Sequence, residues 1–557
     1  MPEKQKKSKV KSRKSSQRST ELLSPELSIQ DGFIVHQQGD QKQKIGKEII
    51  IPEKMMDIDT NDISLLLRFR DVNDAFQEIK ISRGDLRRHR LVELLAKGAD
   101  VFDHNVTMVI KHLRNQEESA EQTFVHHQLG WGTYKGKPIF KHAEAIGVAS
   151  HYQGDLALGP KGSFENWKSM VQEHVMGNTP LELAILLGLS AAIVGYIGSI
   201  TALDTLLFHI YGDSTQGKTT ATSLAISTFG YPGTSKDGLM KSWQMTENAL
   251  INSFSGNFGV PVALDEASVS NIQDFTNAIY RIAGNRDKAR MDKNATLKPT
   301  GKWCTTVLSN GEFSLTTKGA QNSGIRMRVI EIGHVQWTKD AKSADFIKQT
   351  VLDNYGHAGL LFAQKLRRFK RDSIIKCWEK WSKKISASNT CKTKFTDRLS
   401  RKLALIMLTC VVAKKALDLE FNTQEIFQFL LDNEAAQVET RDLGERALEY
   451  FQEQYLKHSN HFLSDSNPYA RQDTYGKVTE SEGRTTVSIL TTEFAKWMKE
   501  GGFEDCKIVL KNWKDKKILD SEKDRYTRKQ KVGPSQVKVT VYCIKLNTNE
   551  NNPEVLS

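Results

Sequence analysis

Residues 211–220 read YGDSTQGKTT, between the apolar run TLLFHI (205–210) and the small-residue run ATSLAIST (221–228). From Gly212 to Thr219 the stretch satisfies G-x-x-x-x-G-K-[ST] in full. A phosphate cradle needs that composition. Glycines let the backbone curl until its N–H groups point inward at phosphate oxygens, and a following helix adds its positive end. The binding set is Gly212, Asp213, Ser214, Thr215, Gln216, Gly217, Lys218, Thr219 and Thr220. Lys218 reaches the β- and γ-phosphates and Thr219 offers a hydroxyl to Mg²⁺, so the implied ligands are ATP and Mg²⁺. With a β-like run before the loop and a helix-like run after it, the stretch predicts an α/β P-loop NTPase core, a parallel sheet with helices.

Other pieces complete the chemistry. The run GVPVALDEAS (259–268) is an apolar strand ending in Asp265 and Glu266. Asp265 would hold the Mg²⁺ shell and Glu266 would polarise the attacking water. The run KWCTTVLSN (302–310) ends in Asn310, an amide able to orient that water. In GIRMRVIEI (324–332), period-two alternation puts Arg326 and Arg328 on one face of a strand. Arg328 is expected to reach a neighbouring subunit's γ-phosphate, with a surface ion pair as the alternative. Between Tyr280 and Trp303 lies a loop carrying Arg281, Arg286, Lys288, Arg290, Lys293, Lys298 and Lys302, broken by Gly284 and Pro299. Such a loop would grip a strand's phosphates, unless it is merely solvated.

Working outward, residues 166–335 form the core and 336–460 read as helical, a lid region. Residues 461–484 read as a polar linker, and 485–547 follow the order helix, helix, basic hairpin of a winged helix. Its hairpin turns at Lys529, Lys531, Gly533 and Pro534, and it is expected to contact duplex DNA, with a protein–protein module as the alternative. Residues 31–165 alternate short β-like runs with helical stretches, a mixed α/β domain, and residues 1–30 and 548–557 read as tails, the first basic and disordered. His142-Ala143-Glu144 begins like a zinc deaminase motif, but no P-C-x-x-C follows. His142 and the pair His126-His127 are therefore read as structural.

Composition sets limits on function. The 557 residues hold 79 Lys and Arg against 66 Asp and Glu, a net charge of +13, which favours a polyanionic partner. Six scattered cysteines without a C-x-x-C imply reduced thiols and, with no signal-peptide pattern at the start, a cytoplasmic address. The segment 181–203 is long and apolar enough for a membrane span. Gly188, Gly195 and Gly198 and the strand that follows it point instead to a buried helix and no membrane.

GDSTQGKTTA, SWQMTENAL (242–250), PVALDEAS, IYRIAGNRDKAR, TTVLSNGE, GIRMRVIEI and FTDRLSRKLALIML (395–408) together resemble the DUF-class AAA+ ATPase domain of bacterial phages and mobile elements, from about Leu129 to about 460. With the C-terminal winged helix, the layout is similar to the cassette chromosome helicases. The chain departs from that pattern at Asn252 or Ser253, where the family often has an acidic residue, and at AGNRDK, where it is richer in Gly.

The resemblance implies a hexameric, ATP-driven DNA helicase that helps replicate a mobile element, with single-stranded DNA in its pore and a separate primase or polymerase as partner. Lys218, Thr219, Asp265, Glu266, Asn310 and Arg328 take the roles above, and Arg398 or Arg401 touches nucleotide from the lid. Two other readings stand beside it. One is an AAA+ initiator or sensor using ATP for assembly without unwinding; the other is an interaction protein whose ATPase is regulatory.

Overall fold

The computed structural model describes residues 26–547 except 273, 290, 292–296, 298–299, 317–322, 389–395, 442, 466–472, 482–483, 504–505, 523–524 and 533–537. Most of the expected tails therefore lie outside the described residues, as do Arg290, Lys293, Lys298, Pro299, Gly533 and Pro534. Contacts separate two compact units, Met1–Val125 and His126–Ser557. The division falls inside the stretch assigned from sequence to the N-terminal domain.

In the first unit Leu27–Gln30, read from sequence as tail, pairs antiparallel with Phe33–Gln38, which pairs with Gln41–Lys47. Ile49–Asp57, Ile63–Arg70 and Phe76–Ser82 then form an antiparallel run, with Glu121–His126 parallel to the first. Along Ile63–Arg70 the side chains of Leu65, Leu67 and Phe69 are buried in alternation. They meet Val106, Val109 and Leu113, spaced along one face of the helix Val106–Ser119. Periods of two and near 3.6 thus build one small core.

The second unit is organised by a parallel sheet of β1 (Leu206–Tyr211), β2 (Met240–Ser242), β3 (Val262–Asp265), β4 (Thr306–Gly311) and β5 (Val329–Gly333). Their order is β2-β3-β4-β1-β5, and every pairing is parallel. β1, β4 and β5 are buried almost end to end, as in sheets covered on both faces.

The apolar segment forms α1 (Thr179–Thr201). Among the described residues it is the one helix long and apolar enough to cross a membrane, and 83% of its apolar window is buried in the protein. It packs against α2 (Lys218–Ser227), against β4 and against α4 (Thr396–Leu417). A Cβ on Gly188 would stand 2.1 Å from the Ala225 carbonyl oxygen, and one on Gly195 would stand 2.0 Å from that of Phe258. The glycines let the backbones touch. The expected lid shares this core, since Leu403, Ile406 and Met407 of α4 join one cluster with Phe208, Leu308 and Ile330 of the sheet.

The C-terminal domain begins earlier than its sequence pattern indicates. α5 (Leu443–Lys457) supplies Ala447 and Phe451 to a core with Phe494, Trp497 and Trp513. The polar stretch read as a linker contributes β6 (Phe462–Leu463) and β7 (Gly476–Ser481). After β8 (Arg484–Leu490) come α6 (Thr491–Glu500), α7 (Cys506–Asp515), β9 (Leu519–Asp520), β10 (Arg528–Lys531) and β11 (Lys538–Asn547). The two helices and the β10–β11 pair occur in the order read from the sequence.

Candidate nucleotide site

In a parallel sheet the strands' carboxyl ends share one edge, where ligands of open α/β sheets bind. β1 leads there into the glycine loop, β3 into Asp265 and Glu266, and β4 into Asn310 and Glu312. The loop needs its glycines. Gly212 has φ 141° and Gly217 φ 81°, and a Cβ on them would meet Gln216 Oε1 at 2.4 Å and Thr338 Oγ1 at 2.5 Å. Thr215 is also left-handed, at φ 72°.

Lys218 opens α2 and is buried, its Nζ donating to the carbonyls of Gly212 at 2.8 Å and Asp213 at 2.6 Å. Thr219 is exposed beside it, and the Thr220 hydroxyl is buried without a hydrogen-bond partner. No side chain caps α2, so its N-terminal N–H groups are available to an anion. This set fits a nucleoside triphosphate: a helix end, a compact cation and the glycine curve that admits phosphate. Mg²⁺ prefers few protein oxygens plus phosphates, which the Thr219 hydroxyl and the Asp265 carboxylate can provide.

The acidic turn is clamped by one amide. Asn310 Nδ2 donates to Asp265 Oδ1 at 2.8 Å, and Asn310 Oδ1 accepts from the Glu266 N–H at 2.7 Å. Glu266 has φ 56°, a conformation non-glycine residues seldom take. Its backbone is thereby turned so that Asp265 and Glu266 are separately oriented, and its carboxylate accepts from the Ser268 N–H at 3.3 Å. Ser214 of the glycine loop donates to Glu312 Oε1 at 2.8 Å, tying that loop to the end of β4.

A buried polar layer that sequence reasoning missed lies beneath. His209 of β1 is hydrogen-bonded to the Ser309 hydroxyl at 2.9 Å and to the Phe313 carbonyl at 2.8 Å. Trp243 Nε1 donates to the same hydroxyl at 2.9 Å. Burial holds His209 below its ordinary pKa, so near neutral pH it is an uncharged tie between β1 and β4. A polar residue inside an apolar strand was the available signal.

Arg326 and Arg328 are not on a strand. Ser323–Arg326 forms a short helix, and β5 starts only at Val329. Arg326 is buried. The Arg328 guanidinium lies 4.1 Å from the Tyr280 ring centroid and donates to the Gly324 carbonyl at 2.9 Å. The helical turn before β5 breaks the alternation read from the sequence. Arg398 and Arg401 are exposed near the start of α4, with Arg401 over the Trp378 ring.

The basic loop also divides. Arg281, on α3 (Thr276–Ala283), is buried and bonded to Glu247 at 2.7 Å and Asp287 at 2.6 Å, so it holds structure together. Arg286 pairs antiparallel with Lys302, and Met291 with Leu297, as isolated bridges. Arg286, Lys288 and Lys302 of this loop are exposed. Asn285 anchors its base, accepting from the Thr205 N–H at 2.7 Å. In the C-terminal domain Lys511 of α7 and Lys529 and Lys531 of β10 are exposed, and Lys531 faces Lys538 across the strand pair. Like charges placed opposite are unfavourable unless an anion joins them.

His142 and His126 belong to the second unit. Both are buried, and His126 is hydrogen-bonded to Ser150 and to the His142 carbonyl. Among the described residues no three His, Cys, Asp or Glu side chains group as a metal site.

A solved structure titled SCCmec type IV Cch, an active helicase, matches with a TM-score of 0.78 at 22% identity, covering 95% of this chain and 98% of its own. At that identity the likeness establishes a shared fold. No curated protein matches the sequence. Residues 29–302 match the family described as a domain of unknown function, DUF927, and residues 442–549 match the Cch helix turn helix domain. The first match begins well before Leu129 and takes in most of the first unit; the second begins beside α5. The chain joins a DUF927 domain to a Cch helix turn helix domain.

Proposed function

We propose that this chain is an ATP-dependent DNA helicase or translocase of the AAA+ type, acting as a ring, most simply a hexamer, in the replication of a mobile element. The observation that carries the proposal is the Asn310 amide holding Asp265 and Glu266 at the sheet edge where the glycine loop ends. The fold shared with an active helicase and the helix turn helix domain support it.

ATP with Mg²⁺ supplies the phosphoryl group and the metal's charge. Lys218 would leave the loop carbonyls to meet phosphate oxygens, and Thr219 and Asp265 would hold the metal. Glu266 accepts a hydrogen bond from the attacking water and takes its proton, and Asn310 keeps that carboxylate's backbone in place. Arg328 as a γ-phosphate contact in a neighbouring subunit requires its side chain to leave the Tyr280 ring. The adenine ring of ATP is assigned to the cleft of about 1470 Å³ lined by His174, Asn178, Thr179 and Phe346. Its wall joins the loop through Trp337, whose N–H donates to the Gln216 carbonyl at 2.8 Å and whose carbonyl accepts from Asn178 at 2.9 Å.

Single-stranded DNA is assigned to Arg286, Lys288 and Lys302 in the ring's pore and duplex DNA to α7 and the β10–β11 wing. A separate primase or polymerase would act on the opened strands, and the cytoplasm is the expected site of action. The testing experiment is unwinding of a labelled forked duplex with ATP and Mg²⁺. Turnover without strand separation would transfer the proposal to an ATP-driven assembly switch.

A further inference from the structure

The first unit carries a cationic cleft that the nucleotide and DNA assignments above do not use. Lys54, Arg83, Arg87 and Arg114 line it with Leu86, the Gly84 backbone, Glu117 and Glu118. Over the described residues 26–125 there are 14 Lys and Arg against 18 Asp and Glu, so these cations are gathered against the trend of that stretch.

The local pairing separates structural cations from available ones. Arg83 is bonded to Glu117, whose side chain is 11% exposed, which leaves that carboxylate neutralised in the cleft wall. Lys54 Nζ donates to the Glu117 carbonyl at 3.4 Å. Outside the cleft, Arg88 donates to the Asp103 carbonyl at 2.8 Å, and Arg90 lies 3.3 Å from Glu93. Arg87 and Arg114, exposed and inside it, have no carboxylate partner among the described residues.

Two unpaired guanidinium groups facing one cleft are a site for tetrahedral oxyanions, because each planar fork can donate two parallel hydrogen bonds to a phosphate. No aromatic side chain lines the cleft, so bases would find no stacking platform.

We propose that this cleft binds the phosphodiester backbone of a nucleic-acid strand, independently of sequence, through Arg87 and Arg114. The inference does not rest on the ATPase reading, since it needs neither nucleotide nor turnover.

The test measures binding of the full chain to fluorescent oligonucleotides of two unrelated sequences across a salt series. For the double variant Arg87→Ala/Arg114→Ala, affinity for both should fall about tenfold at moderate salt, and the log–log salt slope should shrink by about 1.5. Arg87→Lys/Arg114→Lys should keep most of the slope, and Arg88→Ala/Arg90→Ala should match the wild type. An unchanged slope in the alanine pair would overturn the proposal, as would a lysine pair as weak as the alanine pair. Displacement of the oligonucleotide by tripolyphosphate at equal phosphate concentration would overturn the strand reading in favour of a small phosphate ligand.

Discussion

Asn310 Nδ2 donates to Asp265 Oδ1 at 2.8 Å across the adjacent strands β3 and β4, while the other end of the same amide accepts from the Glu266 N–H. One side chain thereby ties the Asp265 carboxylate to the Glu266 backbone. Asn310→Ala removes both contacts and frees the left-handed turn at Glu266. ATP turnover is expected to fall roughly 10²-fold with nucleotide affinity little changed, the signature of a transition-state contact. Steady-state kinetics beside direct nucleotide binding checks this, and a loss confined to affinity would contradict it.

Glu266→Gln keeps the shape of the side chain and removes the base. Hydrolysis should drop by about 10²–10⁴-fold while ATP still binds. Normal turnover by this variant would remove Glu266 from the mechanism.

Arg281 and Arg286 lie five positions apart in one basic run, yet only the second is exposed. Arg281→Ala leaves Glu247 and Asp287 without their shared cation and is expected to cost about 3 kcal/mol of stability, read by urea unfolding. Arg286→Ala/Lys302→Ala should leave stability within about 0.5 kcal/mol and weaken single-strand binding. Equal unfolding midpoints for the two variants would contradict this division.

His142 is buried, donates from Nε2 to the Phe229 carbonyl at 2.6 Å and has its pKa pushed down to about 4 by burial, with the neighbouring His126 adding to the shift. Its folded pKa is below its unfolded value, so the unfolded chain takes the proton first. The stability it contributes is complete above about pH 6.5 and is lost as pH falls toward 4, a change of roughly 3 kcal/mol. His142→Gln should flatten that limb of the stability curve. An unaltered slope between pH 6.5 and 4 would contradict the assignment.

The candidate nucleotide site was legible because its residue types have few other uses. Lys218 after Gly217, and Asp265 and Glu266 after an apolar run, need only local spacing to be read, and the glycines of α1 marked close packing rather than lipid. What escaped depended on pairing between distant residues. The strand character of Gly476–Ser481 comes from its match to Arg484–Leu490, not from its polar composition. Arg281 reads as one more cation until Glu247 and Asp287 are seen beside it, and the alternation at Arg326 and Arg328 gives no sign of the helical turn before β5.

The most direct test of the account is unwinding of a labelled forked duplex by the full chain with ATP and Mg²⁺, beside Lys218→Ala. Strand separation that requires ATP and disappears in the variant is the predicted result. Vigorous ATP hydrolysis by the unaltered chain with no strand separation would contradict the helicase assignment.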